Sequence, residues 1–357
     1  MRLPNWNLTF SAKRRLQRAA LITLILIMVG ILVWFCWVIW AERYVVYSRE
    51  GASINLDLPE RIGGGQVAAP PALDETISIY INEGSDAINM SADLTQIRGY
   101  YVEQEALIEN VQSVKDVVVT LPAGTAVLLE LKNIYGRFNY TSALTYAEPA
   151  SNVNTAAVDN LIQEITSRNL HAIALVPAFR ERSFVLKRNA FFLKTSNGYG
   201  WEDDQNCYWL DPTDTGSMNW LIQIAEELRT LGFDEVVFTE FRFPSSDRIS
   251  FRGDPQEAIQ NAANKLVETC ASTNFTVSFA TNDTNFKLPE GGKSRLYLEN
   301  VGAKDVEAAA AKVTVPDPAA HLVFLATTSD TRYDKYSALP RLAANFSAVS
   351  SSLSGIR

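Results

Sequence analysis

Between Ala19 and Trp40 the chain carries no charged residue, and Leu, Ile, Val, Trp and Phe dominate. A bilayer core of about 30 Å asks for roughly 20 apolar residues in a helix. The pattern therefore predicts a transmembrane helix over 19–40. A cleavable signal peptide has a shorter apolar region, about 7–15 residues, followed by small residues. Here the run ends in Trp34, Trp37 and Trp40, with Tyr44 and Tyr47 close behind, aromatics suited to a membrane interface. The run reads as an uncleaved anchor. Arg2, Lys13, Arg14, Arg15 and Arg18 precede it without an acid among them, whereas Arg43 and Arg49 beyond it are matched by Glu42 and Glu50. The positive-inside rule then places a basic tail, 1–18, in the cytoplasm and the rest of a single-pass cell-membrane protein outside it.

Past the anchor, 41–95 reads as a stalk. Gly63-Gly64-Gly65 and then Ala68-Ala69-Pro70-Pro71 make a flexible and then stiffer linker. Ile77, Ile79 and Ile81 alternate with polar residues as in a short half-buried strand.

From Gln96 onward strand and helix patterns take turns. Strands are predicted at Gly99–Val102, Ala126–Lys132, His171–Phe179, Val236–Phe241, Phe275–Ala280, Arg295–Leu298 and Leu322–Ala326. Helices are predicted over 104–114, 156–168, 215–231, 256–269 and 306–312, with a last one after Ser337. The helix over 215–231 is the best defined: Leu221, Ile224, Ala225, Leu228 and Leu231 share a face, Asp214 or Thr215 can cap its start, and Gly232 stops it. Such alternation argues for a parallel sheet. The length suits one (β/α)8 barrel of the TIM type, over 96–349, with a frayed tail at 350–357. The count stops at seven strands, so either the Ile77–Ile81 strand contributes or the barrel is irregular in its last third. No strand is followed by a Gly-rich phosphate turn, which weakens the doubly wound alternative.

Composition narrows the partners. The 357 residues are 47% hydrophobic and 20% charged, with a formal net charge of −8. The tail holds five of the positive charges, so the remainder is more acidic still and lacks the basic footprint that nucleic acid requires. Neutral sugars fit better. Cys207 and Cys270 lie outside the span, and their pairing stays open. The two histidines, His171 and His321, fall at strand starts, the stability end of a barrel. No metal-ligand spacing, P-loop or dinucleotide fingerprint appears, so no cofactor is implied.

Trp201, then Trp209-Leu210-Asp211-Pro212, Leu231 to Val236 and Phe241-Arg242-Phe243-Pro244 resemble a family described as glycoside hydrolases. Gly99-Tyr100-Tyr101-Val102 resembles that family's first strand, and Glu130-Leu131-Lys132-Asn133 with Tyr135, Gly136 and Tyr140 its second strand and turn. The resemblance is best over roughly residues 97–244. It implies a (β/α)8 barrel distantly akin to α-amylase-type barrels, acting on polysaccharide or oligosaccharide. The chain departs from the family where Thr239 stands in place of an acidic residue, the implied nucleophile, and where Leu175 replaces an arginine.

Glycoside hydrolysis needs two carboxyl groups about 5–9 Å apart, set at the C-terminal ends of barrel strands. Glu130 is the first candidate; Leu128, Glu130 and Lys132 share a face, and an ion pair of Glu130 with Lys132 inside the barrel is the plainer alternative. Glu240 is the second. Alternation puts Val237 and Thr239 on one face and Phe238, Glu240 and Arg242 on the other, so Glu240 serves only if the strand ends or bulges there. Lys132 and Arg242 would shape the charge around substrate. Trp201, Tyr208 and Trp209 could stack on sugar rings or pack as loop core. Asp211 could line the site or start a turn before Pro212. The sequence thus leaves two functions open: a membrane-anchored glycoside hydrolase, or a barrel that binds glycan or protein without hydrolysis.

Overall fold

A computed structural model describes residues 94–290 and 293–342, the stretches 45–48 and 51–54, and positions 23, 27, 28 and 30. Thr23, Ile27, Met28 and Gly30 are helical; the rest of the predicted span, the strand at Ile77–Ile81 and the tail at 350–357 lie outside the described residues. Among the described residues, no helix is long and apolar enough to cross a membrane. The chain divides into two compact units, Met1–Gly84 and Ser85–Arg357. In the first, Val45–Ser48 pairs antiparallel with Gly51–Ile54.

The second unit is an eight-stranded parallel barrel. Its strands are β1 (Gly99–Val102), β2 (Ala126–Glu130), β3 (His171–Pro177), β4 (Glu235–Thr239), β5 (Thr276–Ala280), β6 (Leu296–Glu299), β7 (Leu322–Ala326) and β8 (Ser337–Pro340). They are hydrogen-bonded in sequence order. The ring nearly closes: parallel bridges join Arg98 to Ala338 and Tyr101 to Arg341, and Leu342 N donates to Tyr101 O at 2.8 Å. Gly99 permits the start of this ring, since a Cβ there would overlap the carbonyl of Ala126.

The main helices are α1 (Gln104–Val118), α2 (Thr155–Ser167), α3 (Thr215–Thr230) and α4 (Pro255–Cys270). Side chains set their limits. Asp214 accepts from Gly216 N at 2.7 Å, and Asp254, followed by Pro255, accepts from Gln256 N at 2.8 Å. Gly232, at φ +92°, takes the left-handed position just past α3.

The eighth strand corrects the sequence reading. Ser337 opens a strand and not a helix, and this strand completes the ring. The irregularity expected in the last third lies in the helices. No helix links β5 to β6 among the described residues, the helix Val306–Ala310 is short, and a 3-10 turn, Thr331–Tyr333, precedes β8.

Two apolar cores follow from strand alternation. The larger packs the outer strand faces against the helices. The smaller fills the barrel with Leu128, Ile173, Leu175, Val237, Tyr297, Val323 and Leu339 among others. Each such side chain, fully buried, contributes about 1.5–3 kcal/mol. Leu175, where the family resemblance implies arginine, thus fills apolar space.

Beneath this plug lies a charged layer. Glu235 is fully buried; it accepts from Arg295 Nη1 at 2.6 Å and from the Tyr297 hydroxyl at 2.9 Å, and lies 3.2 Å from His171 Nε2. Arg295 also donates to Thr95 O at 3.2 Å and Ala320 O at 3.1 Å. Burial works against the Glu235 charge, yet Arg295 and His171 hold its pKa down at about 2. His171 therefore belongs to the stability end, as its place at the start of β3 implies.

Candidate active site at the barrel mouth

Four inward positions lie at or next to the ends of their strands above the apolar plug: Tyr101 on β1, one residue before its end, Glu130 on β2, Thr239 on β4 and Glu299 on β6. In a ring of eight, β2 and β6 stand opposite each other, four strands apart either way round. Glu130 and Glu299 are thus presented from opposite walls of one mouth.

Glu130 Oε2 accepts from Gln104 N, at the start of α1, at 2.9 Å. Burial pushes its carboxyl above the usual range, the Gln104 amide opposes this, Glu103 and Glu105 add to it, and the Tyr101 hydroxyl opposes it again. Burial likewise raises Glu299; the Thr239 hydroxyl, 3.3 Å from Glu299 Oε1, pulls it down, and the charges of Glu240 and Glu130 push it up. Burial and the carboxylates Glu130, Glu103 and Glu299 all hold the Tyr101 hydroxyl protonated. Both carboxyls thus keep a proton more readily than a solvated glutamate, the condition for a general acid near neutral pH.

The mouth opens on both sides. Tyr101, Glu103, Gln104, Glu105, Ile108 and Glu130 line a cavity of about 390 Å³. Across the ring, Glu299 shares a cavity of about 360 Å³ with Asn282, Asn300, Asp305 and Lys312 among others. Arg341 pairs with Glu103 and, at 3.0 Å, with Glu105, tying β1 to the segment after β8.

Glu240 meets the condition set by its sequence position. The strand ends at Thr239, and Glu240 turns out of alternation at φ +49°, the left-handed region that costs a non-glycine residue about 1–3 kcal/mol. Its two oxygens are taken by Arg180 Nη1 and Arg242 Nη2, each at 3.1 Å. Arg242, 48% exposed, also stacks over Trp209 at 4.7 Å from the ring centroid.

The other predicted residues settle differently. Lys132 does not pair with Glu130. Its strand ends at Glu130, and the fully buried Lys132 ammonium lies 2.5 Å from Glu181 Oε2 and donates to Pro177 O at 3.2 Å. As folded its ammonium is enclosed with the Glu181 carboxylate. Gly136 (φ +78°) makes room for that pair, since a Cβ there would overlap the Glu181 carboxyl. Trp201 and Trp209 are 8% and 2% exposed and pack together as loop core. Tyr208 is half-buried against Phe192, and Tyr199 is 75% exposed. Asp211 Oδ1 accepts from the amide and hydroxyl of Thr213, the turn anticipated before α3. Asp203 accepts from Arg180 at 2.7 Å and Trp209 Nε1 at 3.0 Å. Cys207 and Cys270 are both buried free thiols, which burial pushes up to about 11 and about 12.

Sequence reasoning missed Glu299 and Arg180. Glu299 was within reach: continuing the alternation Arg295, Tyr297 by one step places it inward on β6, but the predicted strand stopped at Leu298. Arg180 carries no local signal, because its partners Asp203 and Glu240 come from distant segments.

Fold and mouth together define a parallel (β/α)-barrel with carboxylates at its C-terminal end, the place where barrel enzymes build active sites. Residues 101–278 match the family described as "Putative glycosyl hydrolase domain", so the family resemblance carried by the sequence holds. Solved structures that match parts of the chain include a hypothetical protein from Ruminiclostridium thermocellum: 24% identity over 50% of this chain and 96% of that one, TM-score 0.43. Another is a GH20 exo-β-N-acetylglucosaminidase from Vibrio harveyi, at 12% identity over 70% of this chain and 45% of that one, TM-score 0.45. A third is an α-galactosidase from Thermus thermophilus, at 13% identity over 52% and 39%, TM-score 0.39. The chain spans less than half the length of those two enzymes. Among curated proteins none matches the chain.

Proposed function

We propose that the chain is a membrane-anchored, extracytoplasmic glycoside hydrolase whose nearly closed (β/α)8 barrel acts on envelope or extracellular polysaccharide. The observation that carries this reading is Glu130: a half-buried carboxyl ending β2 at the barrel mouth, beside an open cavity. The family match supports the substrate class. The uncharged run Ala19–Trp40 and its basic flank support the anchor.

One observation favours a second reading, a barrel that binds glycan without cleaving it. Thr239 stands where the family resemblance implies the nucleophile, and Glu240 beside it is taken up by two arginines.

The test is turnover of a polysaccharide panel by the full-length protein in mild detergent, wild type beside Glu130→Gln. Hydrolysis by wild type and its loss in the variant is the expected result. Glycan binding by both proteins without turnover overturns hydrolysis and selects the second reading. For the anchor, the protein should resist alkaline extraction from membranes and be cut by protease added outside intact cells. Release into the soluble fraction overturns that part.

A further inference from the structure

Resting on the hydrolase reading, we infer that Glu299 is the second catalytic carboxyl, working with Glu130 across the mouth, and that Thr239 is its positioning residue. Strand alternation puts both glutamates above the apolar plug on opposite walls, each opening on its own cavity. Glu240, by contrast, is held by Arg180 and Arg242 on the rim.

The hydrogen bonds divide the roles. Glu130 accepts from the Gln104 amide and the Tyr101 hydroxyl, two donors that oppose the burial raising its carboxyl. Glu299 accepts one weaker bond, from Thr239, and lies near the Glu240 charge, which favours its protonated form. Glu299 therefore gives its proton to the glycosidic oxygen as the bond to the anomeric carbon breaks, its electron pair leaving on that oxygen. Glu130 takes a proton from the water whose oxygen adds to the anomeric carbon. One water is consumed and two hydroxyl ends are formed; Glu299 regains a proton and Glu130 gives one up to solvent. The second carboxyl thus comes from β6 and not from position 239, where the threonine orients it.

Leaving-group dependence tests this assignment. The full-length protein, Glu130→Gln, Glu299→Gln and Glu299→Asp are compared on the polysaccharide panel and on 2,4-dinitrophenyl glycosides, whose leaving group needs no proton. Thermal unfolding is measured on each to confirm folding. The expected result for Glu299→Gln is a loss of kcat of about 100-fold or more on polymer but less than about 10-fold on the aryl glycoside, with Glu130→Gln inactive on both. Glu299→Asp should keep part of the polymer activity. A folded Glu299→Gln within about threefold of wild type on polymer overturns the role of Glu299 while leaving the hydrolase reading intact. Equal losses on both substrates also overturn the acid role. A wild type inert on every substrate overturns both.

Discussion

The Thr239 hydroxyl lies 3.3 Å from Glu299 Oε1 and joins the end of β4 to the end of β6 across one intervening strand. A neutral donor thus stands where the family resemblance implies a charge. That donor favours the ionised form of Glu299 against the burial that raises its pKa.

Thr239→Val should therefore move the Glu299 titration to higher pH. The loss of stability should be about 1 kcal/mol, the net value of one hydrogen bond. Carboxyl-carbon NMR with labelled glutamate reads the midpoint, and a midpoint that stays or falls contradicts the assignment.

Glu240→Gln should move the same midpoint the other way, because the Glu240 charge is one of the causes holding Glu299 up. The opposed signs of these two neighbouring substitutions make a stringent pair. Denaturant unfolding of Glu240→Gln should also show a modest loss, because Arg180 and Arg242 each lose a charged partner.

Acid should loosen the barrel through Glu235. Its folded pKa, about 2, lies below its ordinary value of 4.5. Its contribution is thus fully present above the ordinary value and is lost as pH falls toward about 2. Melting temperature followed downward from neutrality should fall through that window. Glu235→Gln should flatten this slope and cost about 3–5 kcal/mol by leaving Arg295 as an uncompensated buried charge. An unchanged slope would remove Glu235 as its source.

Lys132 is predicted to matter for folding and not for substrate. Lys132→Met alone strands the buried Glu181 carboxylate and should cost about 3–5 kcal/mol. The double change with Glu181→Leu should recover much of that loss. A double-mutant cycle by chemical denaturation measures the recovery; a cycle with no coupling sinks the pairing.

The parts of the barrel set by local pattern were legible in the sequence, and the parts set by distant contacts were not. Leu322–Ala326 is predicted to the residue, and Thr215–Thr230 to within one, because periodicity, the Asp214 cap and Gly232 all act within a few residues. The eighth strand was hidden, since Ser337-Ala-Leu-Pro is short, ends in proline and carries no alternation of its own; the edges of β7 and β1 define it. At the mouth, Glu130 was found from its own strand, while the arginine clamp on Glu240 comes from contacts far along the chain. Lys132 misled for the same reason: its partner Glu181 lies beyond β3, where strand alternation gives no information.

Arg295 has a consequence for how the molecule can be divided. Its guanidinium binds Glu235 on β4, Thr95 ahead of the first strand and Ala320 just ahead of β7. A half-barrel ending before β6 would keep Glu235 without its guanidinium and leave the entering segment untied. The unit should therefore unfold as one cooperative body, with no persistent half among its proteolytic fragments.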